Sequence, residues 1–424
     1  MILNDTSSLA IVAIAALTAL GLLVRPFRWP EAVWAVLAAA VLVVSGLIAW
    51  QGAYAGVAKG LDVYLFLIGM MLISDIAREE GLFDWLAAIA TGHAKGSPRR
   101  LFVLIYLVGV LVTVFMSNDA TAVVLTPAVY AACKAAKVRD PFPYMLICAF
   151  IANAASFVLP ISNPANLVIF SGGHMPALGT WFSMFALPSV VSIVVTFAAL
   201  YLTQRKAIAG DSISTVIESV TLSHGAKIAG LGLIATAVAL LVASALDFDL
   251  GWPTFISGFA TLALVSLFNR ENPVGYMKEI SWSVLPLVAG LFVVVEALGQ
   301  TGMIQSLAAT LNAYAASDPK AAVMGAGLAT GLVANIVNNL PAGLVAGGVV
   351  NAAHASPAIS AAVLIGIDLG PNLSITGSLA TILWINALRR EGIDVGFWRF
   401  LKIGFVVMVP ALLATLAGVA LVAG

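Results

Sequence analysis

Two short polar pairs interrupt the most apolar regions of this sequence. The stretch FMSNDAT at residues 115–121 contains Asn118 and Asp119, and IVNNLPA at residues 336–342 contains Asn338 and Asn339. Short amides and hydroxyls can donate and accept hydrogen bonds, and a carboxylate can also carry a proton. The chemistry that these residue types favour is therefore reversible binding of a small polar solute, together with proton exchange at Asp119.

Two further breaks contain Pro or Gly beside polar side chains. They read LPISNPAN at residues 159–166 and DLGPNLSITGS at residues 368–378. Proline removes an amide donor and glycine weakens a helix interior, so both stretches should break a helix. Backbone freed at membrane depth must be buried in protein or line a cavity. We therefore expect all four polar stretches to meet around one cavity.

A simpler interpretation stays open for each of these residues taken alone. A single Asn, Ser or Thr in a membrane helix often hydrogen-bonds to a neighbouring helix. Four breaks at corresponding places in the chain favour a binding site instead. The deep acids Asp119 and Asp368 have no Lys or Arg within either break, and an unpaired ionised carboxylate is costly there. We therefore predict that they couple transport to protons, whereas Asp75 and Glu296 are structural or gating positions.

The elements that must position these residues are membrane helices. Apolar residues make up 61% of the 424 residues. Charged residues make up only 9%, far below the charged fraction of a typical soluble domain. The net charge of zero gives no basis for nucleic-acid binding. The two cysteines, Cys133 and Cys148, do not form a CxxC motif and predict no metal site, and no cofactor is expected. An enzyme is rejected because the deep acids have no histidine or nucleophile partner.

Ten segments are long and apolar enough to cross the bilayer, and two more are predicted to be re-entrant hairpins. The crossings are 6–24, 31–50, 59–77, 141–170, 183–203, 227–246, 252–268, 283–300, 357–388 and 400–422, and the hairpins are 101–133 and 320–353. With this arrangement every Lys and Arg except Lys59 and Lys320 falls on one face, which must be cytoplasmic. Both termini are then extracytoplasmic.

The chain also repeats itself. Gly69, Asp75 and Gly81 correspond to Gly290, Glu296 and Gly302, at a constant displacement. The predicted fold is an all-α polytopic membrane protein with two inverted repeats, 1–206 and 227–424. Each repeat has five crossings, one hairpin and a helix broken near the midplane (141–170 and 357–388). The polar residues 207–226 form a cytoplasmic linker that could hold an interfacial helix.

At the breaks the sequence resembles a known family. The stretches FMSNDATAVVLTP (115–127), NIVNNLPAGLVAG (335–347) and IGIDLGPNLSITGSLATILW (365–384) resemble ArsB-type arsenite efflux transporters. More distantly, SND with PISNPAN is similar to motifs of the ion transporter superfamily, which includes sodium-coupled carboxylate transporters. The resemblance implies export of arsenite and antimonite as As(OH)3 and Sb(OH)3, in exchange for protons, across a bacterial inner membrane. It also implies a cytoplasmic ArsA-type ATPase as a candidate partner.

The resemblance also selects site residues. Some family members carry a Cys immediately before the DLGP segment, where this chain has Ile367, which argues against an obligatory thiol ligand. Substrate and coupling ion are expected between the hairpin tips and the broken helices. The substrate-binding residues are then Asn118, Ser162, Asn163, Asn338, Asn339, Thr376 and Ser378, the proton-coupling residues Asp119 and Asp368, and the further metalloid contacts Ser117, Asn166, Asn372 and Gly377.

Two alternatives share this scaffold. One is a sodium- or proton-coupled transporter of a small anion, and the other is a Na+/H+ exchanger or cation channel with Asp119 and Asp368 as ion ligands. The related carboxylate transporters carry Thr where this chain has Asp119, and an ionised Asp119 would repel a dianion. Arsenous acid is neutral at pH 7 and needs no cationic partner, so the residues favour the metalloid.

Overall fold

All regular elements in the described part of the chain are helices, which confirms the all-α class. The computed structural model describes residues 6–25, 27, 29–171, 175–211, 213–214 and 221–422. The first half contains α1 (Thr6–Val24), α2 (Glu31–Val44), α3 (Trp50–Lys59), α4 (Leu61–Glu79), α5 (Leu82–His93), α6 (Pro98–Phe115), α7 (Asn118–Ala120), α8 (Thr126–Ala135), α9 (Phe142–Ala154), α10 (Pro164–Phe170) and α11 (Leu178–Ala209).

The second half repeats this order of elements. It contains α12 (His224–Ala245), α13 (Gly251–Asn269), α14 (Pro273–Glu279), α15 (Val284–Gln300), α16 (Met303–Ser317), α17 (Pro319–Val337), α18 (Asn339–Ala352), α19 (Pro357–Leu369), α20 (Leu379–Arg390) and α21 (Phe397–Val422). Three non-α turns join these helices: a π-helical segment at Thr121–Leu125 and 3-10 turns at Pro160–Ser162 and Gly370–Leu373. The opposite direction of the two halves stays a prediction.

Seven described helices are long and apolar enough to cross a membrane, or up to nine if each bent pair is one span. The bent pairs are α3 with α4 (45°) and α15 with α16 (72°). The segment expected to cross at 31–50 is interrupted, because α2 ends at Val44 and α3 begins only at Trp50. Gly46 between them has φ 71°, a left-handed conformation that glycine adopts without steric cost.

Two helices, α5 and α16, were not expected from the sequence. Each follows a glycine with a left-handed backbone, Gly81 at φ 77° and Gly302 at φ 76°. A Cβ atom would strain this conformation, so glycine allows the chain to turn sharply after α4 and after α15. Each short helix then leads into a hairpin. The Pro that begins α6 and α17 follows a capping side chain, Ser97 or Asp318, as expected at a helix start.

In each half, one helix packs closely against a helix of the other half. Helix α4 lies against α13, and a Cβ atom at Gly69 would lie 2.3 Å from the Thr254 carbonyl oxygen. Helix α15 lies against α2, and a Cβ atom at Gly290 would lie 2.6 Å from the Ala35 carbonyl oxygen. Small residues allow such close approach of membrane helices. The two corresponding glycines therefore serve the same purpose, each joining its half to the other half.

Helix α11 continues to Ala209 and α12 begins at His224, so both ends of the predicted linker 207–226 are helical. The predicted crossings 183–203 and 227–246 are thus extended by α11 and α12 toward the linker. Residues 212 and 215–220 of this linker, which was predicted to be able to hold an interfacial helix, lie outside the described residues. The division at 206 and 227 and the side of the membrane on which the termini lie stay predictions.

Candidate functional site

The segment predicted to be the first re-entrant hairpin has its break at Ser117, between α6 and α7. We keep the name hairpin for this segment and its counterpart, although α6 and α17 are each long enough to cross a membrane and re-entry stays a prediction. The Ser117 hydroxyl accepts a hydrogen bond of 3.1 Å from the Ala120 amide and so caps α7. This cap places Asn118 and Asp119 in the first turn of the descending helix, where backbone amides favour negative charge. The helix then widens into the π-helical segment, a feature often found at functional sites. Asn118 is buried and Asp119 is partly exposed.

The second hairpin turns at Asn338, which has a left-handed backbone at φ 75°. Its side-chain oxygen accepts a 3.2 Å hydrogen bond from the Leu340 amide and caps α18. The next residue, Asn339, is buried, and its backbone N–H donates a 3.0 Å hydrogen bond to the Gly377 carbonyl. The hairpin tip is therefore attached to the broken helix of the same half through backbone atoms.

Side chains in the first break hold its loop in shape. The Ser162 hydroxyl accepts from the Leu159 amide at 3.2 Å and donates to the Val114 carbonyl at 2.9 Å, which attaches the break to the first hairpin. The Asn166 amide group donates to the Ser156 carbonyl at 2.9 Å. Asn163 caps α10 by accepting from the Ala165 amide at 2.9 Å. All three side chains are buried and form internal hydrogen bonds, although the side-chain oxygen of Asn166 has no partner within the described chain.

The second break is organised in the same way. Ser378 caps α20 by accepting a 3.1 Å hydrogen bond from the Thr381 amide. The Asn372 side chain donates to the Phe150 carbonyl at 2.9 Å, and the Thr376 hydroxyl lies 3.3 Å from the Ser374 hydroxyl. Gly377 is closely surrounded, since a Cβ atom there would lie 2.6 Å from Cα of Pro371. These residues shape the break more than they face an open space.

The two breaks meet at Asp368, which is fully buried. Its carboxylate accepts hydrogen bonds from the Ser156 hydroxyl at 2.7 Å and from the Asn163 side chain at 2.8 Å. A second contact between the halves, 3.0 Å long, runs from the Asn153 side chain to the Asn372 side-chain oxygen. Asn153 was not singled out from the sequence, although a lone amide in the apolar helix α9 was a signal for such a contact.

Two adjoining spaces lie beside the hairpin tips, and Asp119 lines both. The larger, which we call the Arg25 cavity, has a volume of about 180 Å³. The smaller, the tip gap, has a volume of about 10 Å³, enough for about one water molecule. The polar residues of the Arg25 cavity are Arg25, Glu31, Ser74, Asp75, Ser117, Asp119, Ser281 and Ser283, and those of the tip gap are Asn118, Asp119, Asn163 and Asn339.

The structure therefore separates the two deep acids. Asp119 faces both spaces, whereas Asp368 lines neither of them and is enclosed by its two hydrogen-bond donors. Of the other expected site residues, Ser117, Asn118, Asn163 and Asn339 line one of the two spaces, and seven lie outside both linings. These seven are Ser162, Asn166, Asn338, Asn372, Thr376, Gly377 and Ser378.

Two residues that line the tip gap have a buried side-chain oxygen without a hydrogen-bond partner within the described chain. They are Asn118 and Asn339, one from each hairpin. An unsatisfied buried acceptor costs about 1–3 kcal/mol, so such groups require an explanation. Asn153 and Asn166 also have unpartnered oxygens, but neither lines the gap. The gap is thus lined by two amide residues whose side-chain oxygens have no internal partner, together with Asp119.

The wall of the Arg25 cavity contains charged residues that were not predicted to belong to the site. Arg25, at the end of α1, forms an ion pair with Glu31 at the start of α2. Asp75 pairs with Arg78 on the same helix at 3.3 Å. The spacing of these charges along the chain did not indicate that they would face Asp119, because α1, α2 and α4 are brought together only by tertiary packing.

A larger cavity of about 580 Å³ lies between α1, α15, α16 and the second hairpin. Its lining is apolar apart from three threonines and Tyr314. The Thr18, Thr310 and Thr330 hydroxyls each donate to a carbonyl of their own helix at 2.7–2.9 Å. A polar solute would find few available partners there, so we place the site at Asp119 instead.

The two cysteines, Cys133 and Cys148, are both buried free thiols, and neither lines the Arg25 cavity or the tip gap. Among the described residues there is no group of three or more His, Cys, Asp or Glu side chains that could hold a metal ion.

Comparison with known proteins identifies the family. The family CitMHS, described as citrate transporter, matches residues 10–367. The chain belongs to this family. Together with the apolar helices, this membership makes the protein a multi-pass membrane transporter.

Relatives within reach of sequence comparison include arsenical pumps. The chain is 28% identical over 373 residues to an arsenical pump membrane protein of Escherichia coli, which covers 84% of this chain and 85% of that protein. It is 29% identical over 368 residues to the arsenical pump membrane protein of Yersinia enterocolitica, with the same coverage. It is also 25% identical over 417 residues to an uncharacterized transporter of Mycobacterium tuberculosis, covering 94% and 95%. The resemblance to ArsB-type transporters is confirmed.

A solved structure has a related fold. The YdaH transporter of Alcanivorax borkumensis, whose crystal structure is described as having an unusual topology, matches with a TM-score of 0.57 at 14% identity. The match covers 88% of this chain and 86% of that chain. At this identity the comparison establishes the fold alone.

Proposed function

We propose that this transporter exports trivalent arsenic and antimony as neutral trihydroxides, in exchange for protons, across a bacterial inner membrane. The relatives named arsenical pump membrane proteins support the substrate. The single observation that carries the proposal is the set of acceptors at the hairpin tips. Asn118 and Asn339, whose side-chain oxygens have no partner within the described chain, line the tip gap together with Asp119.

The chemistry of arsenous acid fits these acceptors. The molecule has three O–H donors and no charge, so it needs acceptors and no cationic partner. One oxygen from each hairpin and one carboxylate supply three acceptors from two opposed elements. The tip gap, at about 10 Å³, is too small for the trihydroxide, so the two tips must separate to admit it from the Arg25 cavity. Asp119 lines both spaces and is therefore the first of the three acceptors that the substrate meets.

Asp119 also supplies the coupling to protons. Burial away from water favours the neutral carboxyl group, whereas the hydroxyls of arsenous acid stabilise the carboxylate. Proton and substrate then occupy the site alternately. In the proposed cycle substrate binds from the cytoplasm as Asp119 releases its proton inward. The two halves reorient, an external proton displaces the substrate, and the protonated empty carrier returns.

In this proposal the remaining predicted site residues do not bind the substrate. They hold the loops that position the three acceptors, Asn118, Asp119 and Asn339. Asp368 holds Asn163 and Ser156 and so fixes the two breaks against each other. Ser162 ties the first break to the first hairpin, and Gly377 ties the second break to Asn339. Ser117, Asn166, Asn338, Asn372, Thr376 and Ser378 cap or brace the same loops. Association with an ArsA-type ATPase stays a prediction.

A small organic anion is the second candidate substrate. The description of the family as citrate transporter supports it, and Arg25 in the cavity wall supplies a positive charge. However, Arg25 already pairs with Glu31, and the deepest charged residue of the cavity is the acid Asp119. A polyanion would therefore approach a negative group in a site of low dielectric, where like charges repel strongly. The neutral trihydroxide avoids this cost.

Uptake of radiolabelled arsenite into everted membrane vesicles tests the proposal. We expect uptake that follows an imposed pH gradient, needs no sodium and is not inhibited by citrate. Asn118→Leu and Asn339→Leu should each weaken apparent affinity about fivefold, the loss expected for one hydrogen bond. Asn312→Leu is the matched control, because Asn312 is exposed on α16. Sodium-dependent citrate uptake with no arsenite uptake would establish the anion transporter instead.

A further inference from the structure

A further polar space lies close to the tip gap. We call it the Lys59 cavity, and its volume is about 330 Å³. It lies between the two halves, since α3, α4 and α10 line it from the first half and Asp249 and Trp252 line it from the second. Binding sites of transporters built from repeats lie at such interfaces. The polar residues of this cavity are Lys59, Asp62, Ser171 and Asp249.

One face of α4 passes along all three polar spaces. Val63 lines the Lys59 cavity and the tip gap, and Leu67 lines the tip gap and the Arg25 cavity. Met70 and Ser74 continue the same face and line the Arg25 cavity. Residues three or four positions apart share one side of a helix, so these four side chains form a single row. The three spaces therefore follow one another along α4, and the tip gap with Asp119 lies in the middle.

Helix α10 gives the same order independently. Pro164, at its start, lines the tip gap and the Arg25 cavity, whereas Leu167 and Phe170, further along, line the Lys59 cavity. The helix lies against α4, and its cap Asn163 lines the tip gap. Two helices thus place the Lys59 cavity beyond Asp119, on the side away from the Arg25 cavity.

The wall between the tip gap and the Lys59 cavity is thin at Val63. Among the described lining residues, Val63 is the only one that belongs to both spaces, and its side chain is 1% exposed. The residue before it is anchored, because the Asp62 carboxylate accepts a 2.6 Å hydrogen bond from the Gly251 backbone N–H. This bond holds the start of α4 against the start of α13. The two spaces therefore come within the width of one firmly held residue of each other.

We propose that the Lys59 cavity is the extracytoplasmic vestibule of the transport route, and that Val63 is the barrier that closes the Asp119 site toward it. The distribution of basic residues predicts that Lys59 lies at the extracytoplasmic face and Arg25 at the cytoplasmic face. An apolar constriction excludes water and so prevents protons from crossing between the two vestibules. When α10 and the hairpin tips move away from α4, arsenous acid leaves and protons enter through the Lys59 cavity. This inference rests on the proposed alternating-access function.

Chemical modification of the barrier tests the route in folded protein. In a Cys133→Ser/Cys148→Ser background, Val63→Cys is treated in intact cells with a methanethiosulfonate reagent that cannot cross the inner membrane. We expect modification that is faster during arsenite export than at rest, because the wall opens once in each cycle. The attached group should block export, and a reductant that cleaves the mixed disulfide should restore it, which shows that the fold is intact.

Val265→Cys is the matched control. Val265 is equally buried, on α13, and lines none of the three spaces, so its treatment should leave export unchanged. Complete modification of Val63→Cys without loss of export overturns the inference. Failure to modify Val63→Cys from that side during export overturns it equally, since the barrier would then never face the Lys59 cavity.

A leak measurement needs neither arsenite nor a reagent. Proteoliposomes that contain Val63→Ala should lose an imposed pH gradient at least about tenfold faster than those that contain Val265→Ala, which corresponds to a barrier lower by about 1.4 kcal/mol. Both substitutions remove the same two methyl groups from a buried site, so a general loss of packing affects both variants. Val63→Ile should hold the gradient. Equal decay for Val63→Ala and Val265→Ala contradicts a barrier at Val63.

The sides of the two vestibules are tested by labelling. Asp249→Cys, which lines the Lys59 cavity, should react with an impermeant thiol reagent from the extracytoplasmic side, and Ser74→Cys, which lines the Arg25 cavity, from the cytoplasmic side. Reaction of both from the same side overturns the inference. A leak and labelling as expected in protein that carries no arsenite support the barrier and refute the metalloid as substrate. Arsenite transport without either effect supports the substrate and refutes the barrier.

Discussion

Nδ2 of Asn163 donates a 2.8 Å hydrogen bond to the carboxylate of Asp368 and joins the broken helices of the two halves. Both side chains are buried, and Asn163 also lines the tip gap beside Asp119. The acid of the second half therefore positions a residue that faces the proposed substrate.

The first prediction concerns the stability of that contact. Asp368→Leu leaves the Asn163 side-chain donor without its acceptor, whereas the Ser156 hydroxyl keeps the Asn153 carbonyl at 2.8 Å, so we expect a loss of about 1–3 kcal/mol in the free energy of unfolding. Thermal unfolding of the purified protein in detergent measures it. Asp394→Leu is the control, since the Asp394 side chain is 81% exposed. Equal unfolding temperatures for the two variants would show that the contact does not stabilise the fold.

The second prediction separates the two acids by function. Asp119→Asn should abolish arsenite-evoked proton movement in proteoliposomes, because an amide cannot release a proton. The fold should stay intact, since Asn339 shows that the corresponding hairpin position accepts an amide. Asp368→Asn should still exchange protons for arsenite, at a lower rate. The assignment is wrong if Asp119→Asn keeps the wild-type ratio while Asp368→Asn loses it.

The third prediction concerns thiols. Cys133 and Cys148 are buried away from both the Arg25 cavity and the tip gap. A tight thiolate site would also release trivalent arsenic too slowly for turnover. Cys133→Ser/Cys148→Ser should therefore still confer arsenite resistance on a sensitive bacterial strain. Complete loss of transport in a normally expressed, folded double variant would refute binding as the neutral trihydroxide.

The fourth prediction concerns the packing of α4 on α13. Gly69→Ala places a methyl group 2.3 Å from the Thr254 carbonyl oxygen, so the backbones must move apart. We expect destabilisation of about 1–3 kcal/mol, typical of overpacking. Gly418→Ala on α21 is the matched control, because no atom lies within 4 Å of the added methyl. Yield and thermal stability in detergent should fall for the first variant and not for the second.

The fifth prediction concerns orientation in the membrane. Single cysteines that replace Lys95 and Lys137, at the two ends of the first hairpin, should both be labelled from the cytoplasm. Cysteines that replace Lys320 and His354, at the ends of the second hairpin, should both be labelled from outside. All four positions are exposed in the structure. Labelling of Lys95→Cys and Lys137→Cys from opposite sides would make the first hairpin a true crossing.

The sequence by itself determined that this protein lies in a membrane, that it is helical, and where its helices break at four places. These properties follow from local chemistry. A chain with 61% apolar and 9% charged residues must lie in a bilayer, where backbone groups have to be satisfied within helices. Proline, glycine and clustered amides mark the breaks for the same local reason. The helices α5 and α16 could not be predicted because their limits depend on a left-handed glycine, which no periodicity reveals.

Only the tertiary structure decided which acid faces the proposed substrate. Asp119 and Asp368 have similar surroundings in the sequence, each an acid in a polar break of an apolar region. They differ because Ser156 and Asn163, more than 200 residues away, donate to Asp368, whereas Asp119 faces open space. The placement of Arg25, Glu31 and Asp75 around that space likewise depends on packing between distant helices. Burial and hydrogen bonding are properties of neighbours in space, and a sequence specifies those neighbours only once it has folded.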